Sequence, residues 1–322
     1  MLKSLLSLLC GVVVSLALLQ GAGAQTVSVG GVGAGSPIHW PIYIATAKGF
    51  YRQLGVDVTY TPIASSANVV QQVVAGSLDI AVSGPGDALR AINQGAPLTL
   101  LRVEVGPSGY EIFAKKSIKA VADLRGKLIM IGGANDITRY YMEALLRQNG
   151  LKSGDYDYIY AGATSQRYAA LVSGSIDATI LAAPFNFTAR SEKYTNFGPP
   201  PPETERVPFA VFTLRPAWAR QHAAEVKKFL DGFRQGVDYF YDPRNADEVI
   251  DILHNVSNAP RGDVAKTYSY YRDIRMFDRV GPITTDNAHA IVQLLRDQGD
   301  LSLGAETAIA RAVTPGITVT GQ

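Results

Sequence analysis

Residues 66–85 read SANVVQQVVAGSLDIAVSGP, and residues 165–184 read SQRYAALVSGSIDATILAAP. In both, a Ser opens a helix-like stretch, Gly-Ser-x-Asp turns the chain, an apolar strand follows, and a Pro stands at the start of the next element. The pairs Gly76-Ser77 and Gly174-Ser175 lie 98 residues apart. That period is too long for a stacked solenoid, so it describes two similar α/β lobes. Two lobes leave a cleft between them, the place a small ligand would occupy.

The flanking sequence supports this reading. Thr26–Val32 alternates as a strand and ends in the glycine-rich turn Gly30-Gly-Val-Gly-Ala-Gly35. Ile42–Leu54 reads as a helix, Val56–Tyr60 as a strand, Asp87–Asn93 as a helix and Pro97–Val103 as a strand. The pattern then restarts with strands at Glu111–Ala114, Leu128–Ile131 and Tyr156–Tyr160 and a helix at Asp136–Gln148. Alternating strands and helices imply βαβ units and mostly parallel sheets. Pro199–Pro202 reads as an exposed polyproline spacer. Phe209–Leu214 reads as a strand returning to the first lobe, and helices follow over Pro216–Tyr241, Asn245–Asn255, Asp263–Arg275 and Thr285–Gln298. The expected division is 25–106 with 213–322 as one lobe and 107–212 as the other, joined by hinge strands near Val103–Tyr110 and Val207–Arg215.

The first 24 residues have the composition of a cleaved secretory leader. Lys3 supplies a positive charge, Leu5–Leu19 an apolar run too short for a membrane span, and Ala22 and Ala24 a small-x-small cleavage site. Cleavage after Ala24 removes Cys10, the only cysteine, so the exported chain has no disulfide and no thiol chemistry. Without Lys3, 29 basic residues stand against 28 acidic ones. Such a balance leaves no electrostatic footprint for nucleic acid. A periplasmic, monomeric protein is the expectation.

Ser36-Pro-Ile-His-Trp-Pro-Ile-Tyr-Ile-Ala45, Lys48-Gly-Phe-Tyr51, Asp123-Leu-Arg-Gly-Lys127 and the Gly-Ser-x-Asp units together resemble the periplasmic receptors of nitrate, sulfonate and taurine ABC importers. The same superfamily includes receptors for pyrimidine precursors of thiamin. The resemblance implies a two-lobed type II periplasmic-binding fold that closes about a hinge and delivers its ligand to a membrane permease and its ATPase.

Parallel sheets place ligands beyond the carboxyl ends of their strands, beside the N-termini of the following helices. Those positions here are Ser36, His39 and Trp40; Ser65 and Ser66; Ser83 and Gly84; Asn135, Asp136, Thr138 and Arg139; Thr164 and Ser165; and Pro184. Converging helix N-termini favour an oxyanion such as a sulfonate, carboxylate or nitrate. Each Ser or Thr is equally suited to plain capping. His39 and Trp40 are placed either to stack on a planar ligand or to fill a core, and Arg139 either to pair with an oxyanion or to lie on a helix surface. Pro184, like Pro85, suits the first turn of a helix at the rim. Asp79 and Asp177 precede their strands, which puts them at the opposite end of the sheets as turn and capping residues.

An alternative ligand is a heteroaromatic amine, with Glu104, Glu111 or Asp136 pairing with the amine. Enzymatic readings find little support. His39, His222, His254 and His289 have no metal-ligand spacing, and no nucleophile elbow, P-loop or full dinucleotide fingerprint is present, so neither a metal nor a cofactor is expected. The pyrimidine synthase that eukaryotes build on this fold requires a cysteine-rich motif and an iron-binding His arrangement, and the expected mature chain, without Cys10, has no cysteine. A sensor subunit feeding a membrane kinase is the remaining alternative role.

Overall fold

In the computed structural model, which describes residues 25–301, two five-stranded sheets stand side by side. The expected leader with Cys10 and the cleavage point after Ala24, and residues 302–322, lie outside the described residues. The first elements are β1 (Gln25–Val32), α1 (Trp40–Ala47), α2 (Phe50–Gln53), β2 (Val56–Ile63), α3 (Ser66–Ala75), β3 (Ile80–Ser83), α4 (Pro85–Asn93) and β4 (Thr99–Val105). The single helix expected over Ile42–Leu54 is interrupted because Gly49 adopts a left-handed conformation, φ 71°, that only glycine enters freely.

The chain then crosses to the second sheet through residues 106–110. There it forms β5 (Glu111–Ala114), β6 (Leu128–Ile131), α5 (Ile137–Gln148), β7 (Asp157–Tyr160), α6 (Thr164–Ser173), β8 (Ala178–Leu181), α7 (Phe185–Ser191) and β9 (Thr195–Gly198). It returns through residues 199–209 to β10 (Ala210–Leu214), which lies wholly within the first sheet. Phe209 N–H donates to Gly106 O at 3.1 Å, so the two crossing segments are joined side by side. Of the four prolines expected to form an exposed spacer, Pro199 and Pro202 are exposed and Pro200 and Pro201 are buried in the return crossing. Proline has no N–H to leave unpaired, which makes it suited to such a place.

The strand orders are β2-β1-β3-β10-β4 and β7-β6-β8-β5-β9, and the pairings β1–β2, β1–β3, β6–β7 and β6–β8 are parallel. Strands next to the crossings pair antiparallel: β10 with β3 and β4, and β5 with β8 and β9. Alternation along a strand gives each sheet two apolar faces. Phe212 and Leu214 of β10 point into one core, with Trp40, Phe229, Phe233 and Phe240, while Val211 points into another, with Val69, Val73 and Leu294. In the second sheet Ile112 and Phe113 divide in the same way.

The remaining helices pack around the first sheet: α8 (Pro216–Gln221), α9 (Ala223–Tyr241), α10 (Ala246–Ser257), α11 (Arg261–Asp273) and α12 (Thr285–Asp297). A break at His222 divides the helix expected over Pro216–Tyr241. Close approach of α9 to α1 rests on Gly236, where a Cβ would fall 2.3 Å from Pro41 O.

The two aspartates of the repeat do the same work in each sheet. Asp79 accepts from Ser28 N–H at 2.8 Å and from the Ser28 hydroxyl at 2.7 Å, tying β3 to β1. Asp177 accepts from Leu128 N–H at 3.0 Å and from Lys115 Nζ at 2.8 Å, tying β8 to β6 and to the end of β5. Both stand before their strands, at the end opposite the helix N-termini that follow.

Candidate functional site

The interlobe cleft has a volume of about 830 Å³ and is built from the carboxyl ends of strands in both sheets. Ser36, Ser66, Ser83, Gly84, Asp136, Thr164, Ser165 and Pro184 line it. Ser66 Oγ accepts from Gly84 N–H at 2.9 Å, pinning the start of α3 to the turn that opens α4. Ser83 is 2 % exposed, and its hydroxyl has no partner among the described residues. A buried hydroxyl left unpaired is costly, so a ligand or water atom at this wall would relieve it. Pro184 follows a cis peptide bond at the start of α7.

Other sequence candidates lie elsewhere. Trp40 is fully buried in the first core, with its indole N–H on Val249 O at 2.9 Å. His39 is equally buried, with Nδ1 3.2 Å from Glu104 Oε1. Both belong to the helix entry below the cleft floor, because α1 is apolar on nearly every side and sinks into the core. Ser65 caps α3 by accepting from Asn68 N–H. Thr138 is buried as a bracket, donating to Asp136 Oδ1 at 2.5 Å and accepting from Gly132 N–H at 2.8 Å. Asn135 lies on the rim, where its carbonyl accepts from Arg90 of the facing lobe. Arg139 turns to Glu143 at 2.7 Å and Ala134 O at 2.8 Å on the surface of α5.

The three carboxylates considered for an amine also separate. Glu104 is wholly buried against His39, and burial pushes its carboxyl above the usual range while His39 opposes the shift. Glu111 accepts from Asn186 at 3.0 Å and Asn196 at 2.6 Å and pairs with Arg190. Asp136 alone of the three lines the cleft.

Four functional candidates were missed in the sequence: Arg167, Asp87, Tyr110 and Phe209, all of which line the cleft. Arg167 is 0 % exposed, and among the described residues no carboxylate accepts from it. Its Nε donates to Ile180 O at 2.9 Å, NH1 to Ala161 O and Gly162 O at 2.8 and 2.7 Å, and NH2 to Thr164 Oγ1 at 2.9 Å and Tyr110 OH at 3.4 Å. A guanidinium is permanently charged, so these dipoles hold an uncompensated cation beside the cleft. The signal was readable: a cation in the first turn of a helix opposes the helix dipole and calls for a separate reason.

The geometry around Arg167 determines what this wall can do. Because Thr164 Oγ1 accepts from the guanidinium, its own O–H is free to donate. Ala163 has no capping side chain, so the first amides of α6 are also left uncapped. Together these groups form a wall of donors with a net positive charge. The facing wall differs. Asp87 takes Arg90 at 3.0 Å, and burial foremost pushes its carboxyl up, with Arg90 and Ser66 opposing and Asp136 of the other lobe adding to the rise. Among the described residues no group of three or more His, Cys, Asp or Glu side chains is arranged to hold a metal, and no helix is long and apolar enough to cross a membrane.

The model of the family described as NMT1/THI5 like matches residues 36–246. The 4-amino-5-hydroxymethyl-2-methylpyrimidine phosphate synthase THI13 of Saccharomyces cerevisiae is 22 % identical over 241 residues, covering 69 % of this chain and 70 % of that one. Among solved structures, the alkanesulfonate-binding protein SsuA of Xanthomonas axonopodis pv. citri, bound to MOPS, superposes with a TM-score of 0.74 at 18 % identity, covering 91 % of this chain and 99 % of its own. The periplasmic nitrate-binding protein NrtA of Synechocystis PCC 6803 gives 0.70 at 16 % identity, covering 89 % and 86 %. The fold is therefore that of the periplasmic binding proteins, as the sequence resemblance implied.

Proposed function

The chain belongs to the NMT1/THI5-like family, and from that premise we propose that it is the substrate-capturing component of an ABC importer, taking a small organic or inorganic oxyanion into the interlobe cleft. The observation that carries this reading is the Arg167 wall: a buried cation without a carboxylate, which frees the Thr164 hydroxyl to donate beside the uncapped start of α6. An anion bound there supplies the missing countercharge. Closure about the crossings at 106–110 and 199–209 would bring Asp136 and Thr164 of one lobe against Ser66 and Ser83 of the other. The ligand then shifts the open–closed equilibrium by its preference for the closed form. Export through a cleaved leader and hand-over to a permease and ATPase complete the proposal.

A heteroaromatic amine is the second reading. The curated relatives named as pyrimidine phosphate synthases favour it, as do Asp136 and Asp87 on the cleft walls. A synthase activity is weighed down by the composition, since Cys10 in the expected leader is the sole cysteine.

Titration calorimetry and thermal shift on protein unfolded and refolded to strip carried-over ligand separate these readings. The expected result is that a sulfonate, a carboxylate or nitrate raises the melting temperature. A response confined to amines or pyrimidines overturns the oxyanion reading.

A further inference from the structure

We infer, resting on the oxyanion reading, that the ligand is an organic anion with a flat apolar body that lies against Tyr110 and Phe209, not a bare inorganic oxyanion. Three observations converge on this. The first is size: at about 830 Å³ before closure, the cleft has room for a ligand of drug-like dimensions.

The second is the chemistry of the cleft away from Arg167. Tyr110 ends the outgoing crossing and Phe209 the returning one, and both line the cleft. Their ring centroids lie 5.5 Å apart at 68°, an edge-to-face pair that a planar ligand can extend. Phe209 is only half-buried, so part of its surface remains to be covered. Phe185, at the start of α7, lines the same cleft and is also half-buried.

The third is how the polar and apolar parts meet. The Arg167 guanidinium donates to Thr164 Oγ1 at 2.9 Å and lies 5.7 Å from the centroid of the Tyr110 ring. One cation thus contacts both the anion-binding hydroxyl and the aromatic wall. An anionic group at Thr164 has its body directed along the Tyr110–Phe209 pair, and because those rings stand on the two crossings, the body of the ligand bears on the hinge itself. An inorganic anion reaches only the Thr164 end and leaves the exposed part of Phe209 uncovered.

The probes are nitrate, methanesulfonate, benzenesulfonate, acetate and benzoate, titrated into the refolded mature chain by calorimetry. Benzenesulfonate is expected to bind at least tenfold more tightly than methanesulfonate, benzoate at least tenfold more tightly than acetate, and nitrate more weakly than either aromatic anion. In Phe209→Leu and Tyr110→Leu these ratios should fall at least fivefold, and Tyr110→Phe should restore the ratio. Each ratio is taken within one protein, so a loss of stability common to both probes cancels, and circular dichroism melts identify any variant that is unfolded at the assay temperature. Methanesulfonate or nitrate binding as tightly as benzenesulfonate overturns the inference and leaves the oxyanion reading standing, as does a ratio unchanged in both leucine variants. Binding of amines or pyrimidines with none of the five anions overturns both.

Discussion

Replacing Asp177 with Ala tests whether the repeated aspartate is scaffold. The variant loses the carboxylate that Leu128 N–H donates to at 3.0 Å and the partner of Lys115 Nζ at 2.8 Å. The first is a charge-assisted bond at the start of a buried strand, worth about 1.5–3 kcal/mol. The second joins side chains 31 % and 23 % exposed, so solvent screening limits it to about 1 kcal/mol or less. The sum is about 1.5–4 kcal/mol, or a melting temperature lower by about 2–6 °C for a chain of this size. Asp79→Ala removes two bonds to Ser28 and should cost a similar amount, and because the sites lie in different sheets the double variant should show the sum within about 0.5 kcal/mol.

The same variant has a signed pH dependence. Burial pushes the Asp177 carboxyl up, but Lys115 and the Leu128 amide outweigh it and hold it below the ordinary 3.8. A carboxyl lower in the folded than in the unfolded chain stabilises the fold above its unfolded value, and that contribution is lost as pH falls through the folded one. The stability gap between wild type and Asp177→Ala should therefore be full at pH 7 and narrow below about pH 4. Urea unfolding at pH 7 and in the acid range measures it. A gap under about 1 kcal/mol at pH 7, a gap that widens in acid, or a more than threefold change in affinity for the anion that binds wild type would refute the reasoning.

Two further outcomes are expected. Trp40→Phe should cost about 1–2 kcal/mol in urea unfolding through the lost bond to Val249 O and the smaller ring, while anion affinity stays within threefold, because Trp40 is core rather than ligand wall. Arg167→Lys keeps the charge but not the planar fork that holds four acceptors at 2.7–2.9 Å, so anion affinity measured by calorimetry should fall at least about tenfold, near 1.4 kcal/mol.

What could be read along the chain and what could not divide by the range of the interaction. The helix starts at Ser66 and Thr164, the strands between Asp79 and Ser83 and between Asp177 and Leu181, and the turns at Gly76 and Gly174 are local, and each glycine takes the left-handed conformation its place demands. Ser36, Ser66, Ser83, Asp136 and Thr164 follow because strand ends and helix starts fall on one side of a parallel sheet. His39 and Trp40 are as close to a strand end in sequence as Ser36, but α1 turns them beneath the cleft floor, and only packing against α9 and α10 decides that.

The sequence by itself determined the two-lobed α/β plan, because the duplicated unit, the glycine turns and the apolar alternation act over a few residues and need no distant partner. It also determined the place of Asp79 and Asp177, since a residue before a strand must lie at the end away from the cleft, but that they tie neighbouring strands rather than cap turns was decided by the tertiary structure. Tertiary structure alone placed Arg167 against Tyr110, and Tyr110 against Phe209 across 99 residues of chain. Those contacts join a helix start to two crossing segments, and no periodicity records which side chains meet when separate segments converge. A buried cation is tolerable only where such a convergence supplies the dipoles to hold it.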